Sequence, residues 1–219
     1  MIIRTGILSI PDWDERAILE VRNLLRSHLP GAVIVEETFA QSQRNWIEEI
    51  LRRWADEEEI GLIVTIGGTL PAPSTSGREV VPDATFAVLD TCLPALPETM
   101  RAYAAEQTEL ALLDRSMAGI RGRTLIINLP SGAAATHLFL EGILSIIAPI
   151  LSHLHERPDA PQIDQDLEII EDSDLNQPFL QQNDQQDTQP DIIKTTGSSP
   201  VKKGLDPAEF AEFLKRSKS

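Results

Sequence analysis

Three short runs dominated by apolar residues, at 2–10, 62–66 and 124–129, restrict the fold of this chain more than any other feature. A strand that is apolar at nearly every position must be covered on both faces, and a parallel sheet flanked by helices provides that cover. The segments between the runs supply the helices. Ala17, Ile18, Val21, Leu24 and Leu25 recur at helical spacing, as do Trp46, Ile47, Ile50, Leu51 and Trp54. Asp12 or Asp14 is placed to cap the first helix, and Pro30 with Gly31 stops it before a short strand at 32–35. Pro82 suits the first turn of a helix reaching Asp90. Helical sequence resumes near Pro97 and again after Ser131. The alternation predicts an α/β fold: three layers, α/β/α, with a mostly parallel central sheet.

The stretch 133–151 approaches the length of a membrane span, but His137, Glu141, Ser145 and Pro149 interrupt it. It is predicted as a buried core helix, bent or broken near Pro149. Trp46 and Trp54, eight residues apart on the second helix, are read as core or subunit-contact residues. His28 belongs at a helix C-terminus, His137 in the interior, and His153 and His155 on different faces of a helix end, where they make no metal pair.

Parallel sheets bind ligands beyond the carboxyl ends of their strands. Three strand ends qualify here, at 9–12, 65–69 and 128–132, and the last two are glycine-containing polar turns. Gly67 and Gly68 let backbone amides approach a ligand closely, and such turns favour an anion. The chain has no G-x-x-x-x-G-K-[ST] and no G-x-G-x-x-G after its first strand, so neither nucleotide fingerprint is present.

Charge narrows the partners. With 19 Lys and Arg against 34 Asp and Glu, the net charge of −15 argues against nucleic acid and against an anionic membrane surface. Residues 158–219 hold −7 of that, leaving −8 on residues 1–157, and all five lysines lie beyond residue 193. The single cysteine, Cys92, excludes an internal disulfide and has no sequence neighbour to activate it as a nucleophile. No basic and apolar leader opens the chain, so a soluble cytoplasmic protein is the expectation.

Four segments in order carry a resemblance. They are Thr65-Ile66-Gly67-Gly68-Thr69, then Gly77-Arg78-Glu79-Val80-Val81-Pro82-Asp83-Ala84-Thr85, Ala118-Gly119-Ile120-Arg121-Gly122, and Leu125-Ile126-Ile127-Asn128-Leu129-Pro130. Together they resemble the MoaB/Mog-type molybdopterin-binding family, with its T-T-G-G-T-G, R-D-V-T-P-[DE]-A-T, A-G-[IV]-R and L-I-[LV]-N-L-P-G stretches. The resemblance spans roughly residues 4–155. It implies molybdenum-cofactor biosynthesis, molybdopterin as ligand or substrate, its adenylylation with Mg2+ and ATP in enzymatic members, and assembly as trimers or hexamers. Carried over residue by residue, it implies a pterin-phosphate site at Gly67, Gly68, Thr69, Asn128, Pro130, Ser131 and Gly132. Glu79 takes the catalytic and metal-holding position.

The departures cluster at that site. The family's aspartate is Glu79, one methylene longer, and the threonine after the next residue is Val81. Gln41, Ser42 and Gln43 stand where active relatives carry an acid before the second helix. The P-G-x-P-K turn reads Pro130-Ser131-Gly132-Ala133-Ala134 and loses its lysine. The S-R pair reads Asp114-Arg115, which adds a negative charge. Arg78, Arg115, Arg121 and Arg123 are the candidate substitutes for the lysine. A non-catalytic oligomeric scaffold of the same fold is therefore the competing expectation.

Beyond residue 157 the sequence predicts a disordered acidic linker at 158–204, with ten acids and one base between 158 and 194. A short amphipathic helix is predicted at 205–219, where Phe210, Phe213 and Leu214 share a face and Lys215, Arg216 and Lys218 crowd the end. Tethered by the linker, that helix is read as a docking element for a protein partner.

Overall fold

A computed structural model of the chain describes residues 2–71 and 80–156. Its elements run β1 (Ile3–Ser9), α1 (Glu15–His28), β2 (Ala32–Phe39), α2 (Arg44–Asp56), β3 (Leu62–Ile66), α3 (Val81–Val88) and β4 (Thr91–Cys92). They continue through α4 (Ala95–Ala105), a 3-10 turn (Glu109–Leu113), β5 (Ala118–Arg121), β6 (Thr124–Leu129), α5 (Ala133–Glu141) and α6 (Leu144–Leu154). The strands form one sheet in the order β2-β1-β3-β6-β5-β4, with β2, β1, β3 and β6 parallel and β5 antiparallel to both neighbours. Glu79, the linker at 158–204 and the segment 205–219 lie outside the described residues.

Side-chain alternation along the strands builds the three layers. Leu62, Val64 and Ile66 of β3, with Leu125, Ile127 and Leu129 of β6, pack under α1, α4, α5 and α6. Ile63 and Ile126 point the other way, into a core closed by Ile47, Leu51 and Trp54 of α2 and Val81, Ala84 and Val88 of α3. Every residue of β3 and β6 is buried, as the apolar runs require. The Asp14 side chain caps α1 through the Ala17 amide, deciding between the two aspartates.

Several local expectations change. The strand at 32–35 extends to Phe39, and its half-exposed residues mark an edge. The sequence reading contained no strand at 91–92 or 118–121. Both are short and lie on the antiparallel edge, where a two- or four-residue stretch leaves little periodicity to detect. The apolar stretch 133–151 breaks at 142–143 into α5 and α6, bent by 61°, while Pro149 sits inside α6. Among the described residues no single helix is long and apolar enough to cross a membrane. Trp54 is fully buried but Trp46 is 62% exposed. Eight residues overshoot two helical turns by about 80°, enough to carry one ring out of the core. His137 is not interior: its ring is part-exposed between Glu20 (3.2 Å) and Glu141 (3.6 Å), on the outer side of α5.

Gly6 shows how closely α2 approaches the sheet. A Cβ there would lie 2.7 Å from Trp54 Cε3 and 2.8 Å from Cζ3. The Gly6→Ala variant is expected to lose about 1–3 kcal/mol of stability by overpacking. Urea unfolding would measure it; unchanged stability would mean that α2 is not seated on β1 this tightly.

Candidate ligand-binding site

The carboxyl ends of β1, β3 and β6 finish level, because Ser9 pairs with Ile66 and Ile66 with Leu129. Three turns therefore meet at one edge of the sheet. The first runs from Ser9 to Asp14. Ser9 Oγ donates to the Asp12 carbonyl at 2.5 Å and accepts from the Asp14 amide at 3.0 Å. The second is Gly67, Gly68 and Thr69, and the third runs from Pro130 to Gly132.

Gly67 is fixed between its neighbours. Its amide donates to the Leu129 carbonyl at 2.8 Å, and its φ is +95°. A Cβ would fall 2.0 Å from the Ile10 carbonyl oxygen. Only glycine fits there. The amides of Gly68 and Thr69 have no acceptor among the described residues. α5 starts at Ala133, directly after the third turn, and no side chain caps it. Its first-turn amides and positive dipole end lie beside the glycine turn, since a Cβ on Gly67 would stand 3.6 Å from Ser131 Cβ. The Gly132 amide is already engaged, donating to Asp14 Oδ2 at 2.9 Å. That bond ties the start of α1 to the start of α5.

Asn128 lies beneath the surface. It is fully buried; its amide nitrogen donates to Thr65 and Thr85 hydroxyls, both at 2.9 Å, and its oxygen accepts from the Met117 amide at 3.2 Å. It joins β3, α3 and the residue before β5 to β6, directly beneath the turns. Pro130 is buried too, its carbonyl accepting from the Thr136 hydroxyl at 2.8 Å, whereas Ser131 and Gly132 are exposed.

Thr69 and Asp114 form the other polar knot. Thr69 Oγ1 donates to Asp114 Oδ2 at 2.5 Å, Asp114 Oδ1 accepts from the Ser116 amide at 2.8 Å, and the Arg115 amide donates to the Thr69 carbonyl at 2.9 Å. Asp114, the acid that departs from the resembled pattern, has its side chain buried and hydrogen-bonded on both oxygens. The missing signal was long-range, since residues 69 and 114 pair across 45 positions. Asp14 escaped notice as a site residue for the same reason: 118 positions separate it from Gly132.

The candidate arginines separate by position. Arg115 lies at the ligand end, with Nη2 3.4 Å from Asp83. Arg121 is at the opposite end, opposite Thr124 at the start of β6. There it makes a two-pronged pair with Asp56 and donates to the Val88 carbonyl. The hydrogen bond to Asp56 raises its pKa above the usual guanidinium value. Arg123 lines a hollow at that same amino end with Arg4, Gly61 and His155. Arg78 is outside the described residues.

Surface hollows of about 850, 530 and 450 Å3 lie at the carboxyl end of β2 against α2, along β2 against α1, and at the amino ends of β1 and β3, and the glycine turns line none of these. The turns have the stronger claim to a ligand, because they bring free amides and a helix N-terminus together. No group of three or more His, Cys, Asp or Glu suited to a metal occurs among the described residues.

This arrangement defines a class: an α/β domain whose candidate ligand edge is built from glycine turns and the amino end of a helix. No family profile matches the chain. Curated relatives do. It is 32% identical over 151 residues to a molybdopterin adenylyltransferase of Helicobacter pylori, covering 66% of this chain and 84% of that one. It is 31% identical over 157 residues to the Escherichia coli molybdopterin adenylyltransferase, covering 69% and 78%. The chain also matches the molybdenum cofactor synthesis protein cinnamon of Drosophila melanogaster at 34% identity, but spans only 25% of that longer protein. The crystal structure of the molybdopterin biosynthesis enzyme MoaB of Thermus thermophilus superposes with a TM-score of 0.64 at 34% identity, covering 72% of this chain and 99% of that one. The chain belongs to the MoaB/Mog-type molybdopterin adenylyltransferase family.

Asn128→Leu tests the support beneath the turns. It leaves two buried hydroxyls and an amide without their partner, and the expected loss is about 2–4 kcal/mol in denaturant unfolding. A loss below about 0.5 kcal/mol, the size of an ordinary surface substitution, would show that Asn128 does not hold the turns.

Proposed function

We propose that this chain acts in molybdenum-cofactor biosynthesis by binding molybdopterin at the carboxyl edge of β1, β3 and β6. One observation carries the reading: the glycine turn, whose Gly68 and Thr69 amides have no acceptor among the described residues, lies beside the start of α5, which no side chain caps. That is a receptor for an anion, and a pterin phosphate is the anion that the family membership supplies. In this reading Gly67, Gly68 and Thr69 form one wall. Pro130, Ser131 and Gly132 form the other, and Asn128 holds them from below.

Adenylylation by ATP is the finer proposal, supported by the names of the curated relatives. It requires Glu79 to place Mg2+ and the nucleotide phosphates. Magnesium is commonly bound by one or two carboxylates plus phosphates, and Glu79 would be one such carboxylate. The bound metal would neutralise phosphate charge during adenylyl transfer. We further propose a homo-oligomer, for which the exposed Phe39 and Trp46 beside the β2 edge offer apolar contact surface. The scaffold reading gains from the buried acid at 114 and the missing lysine at 134, both unfavourable to phosphate chemistry.

Purified protein titrated with molybdopterin, followed by pterin fluorescence and then by product mass with Mg2+ and ATP, tests these in turn. The expected result is saturable binding. Binding without an adenylylated product would remove the enzymatic proposal; no binding would remove both and leave the scaffold. The Ala134→Lys variant restores a cation at an exposed position in the first turn of α5. It should bind molybdopterin about ten-fold tighter, the scale of one charge-assisted hydrogen bond. It should also melt slightly lower, because a cation opposes the helix dipole there.

A further inference from the structure

Thr69 is 1% exposed and Asp114 4% exposed. A carboxylate has only acceptors, so in the 2.5 Å contact the Thr69 hydroxyl is the donor. The second carboxylate oxygen receives the Ser116 amide at 2.8 Å. The Arg101 guanidinium reaches the carbonyls of residues 114 and 116 at 3.5 and 3.4 Å, bringing a cation to the same segment. A hydroxyl, an amide and a nearby guanidinium are the elements of an oxyanion site, and here the oxyanion is part of the chain.

We propose that Asp114 is a resident anion. Its carboxylate occupies the donor pair of Thr69 hydroxyl and Ser116 amide, so this wall of the site accepts an external phosphate or carboxylate only when residue 114 carries no carboxyl side chain. The proposal rests on reading the glycine turn as the ligand edge, and it assigns to Asp114 a specificity role. The phosphate of any ligand is directed to the Gly68 amide and the start of α5, while the Thr69 hydroxyl is withheld from it.

Chemical rescue tests it. The Asp114→Gly variant removes the carboxylate and leaves the two donors unpaired in a buried slot. Acetate, formate or inorganic phosphate should then raise its melting temperature relative to chloride at equal ionic strength, since a ligand that binds only the folded state stabilises it. The wild type should gain less from the same anions, because its Thr69 hydroxyl and Ser116 amide are already occupied. Asp114→Ser should bind inorganic phosphate about ten-fold tighter than the wild type. Adding Thr69→Val to either variant should abolish most of the gain, which simple repair of stability would not require. Equal response of wild type and variants to these anions would overturn the proposal, and so would a gain that survives Thr69→Val in full. If Asp114→Gly does not fold without added anion, refolding in acetate but not chloride supports the proposal, and the Asp114→Ser titration decides it independently. These probes are simple anions, so the result stands or falls apart from whether molybdopterin itself binds.

Discussion

Burial of β3 and β6 on both faces is the constraint on which the rest of this structure depends. No position in either strand reaches solvent, so any polar residue within them must be satisfied internally. Thr65 and Asn128 are such residues, opposite each other across the β3–β6 ladder. Their mutual hydrogen bond, extended to Thr85, turns a desolvation cost into a cross-tie between sheet and α3. Because that tie lies one residue before the end of each strand, it also fixes where the glycine turns emerge.

The ligand edge follows from this alignment. Level strand ends bring the Gly67 and Gly132 turns side by side, and Gly67 is forced by the approach of the Ile10 carbonyl. Two aspartates then shape the electrostatics. Asp14 occupies the Gly132 amide while capping α1, and Asp114 occupies Thr69 and Ser116. In a domain of net negative charge, the donors left for a ligand are mainly backbone amides. Arg115 is the candidate arginine among the described residues that lies at this end, and it is shared with Asp83.

Much of this was legible along the chain because it depends on local physics. Runs apolar at most positions announced the double-sided strands, helical spacing announced α1 and α2, and a glycine pair after a strand marked the turn. The antiparallel edge was not legible: β4 has two residues and β5 four, too short for periodicity, and they form strands only because β6 offers a partner. Trp46 and Trp54 looked equivalent in spacing, yet a difference of angle around α2 separates a core ring from a surface one. The order of the four motifs indicated the family before any contact was known.

The sequence by itself determined the layer architecture, the family and the glycines of the site, since hydrophobic periodicity and backbone conformational preference act over a few neighbouring residues. Only the tertiary structure decided which charged groups belong to the ligand edge. It carried Arg121 and Arg123 to the far end of the sheet, set Asn128 beneath the turns, and delivered Asp14 and Asp114 onto donors 118 and 45 positions away. Electrostatics and hydrogen bonding act through space, and spacing along a chain holds no record of which distant groups the fold will bring together.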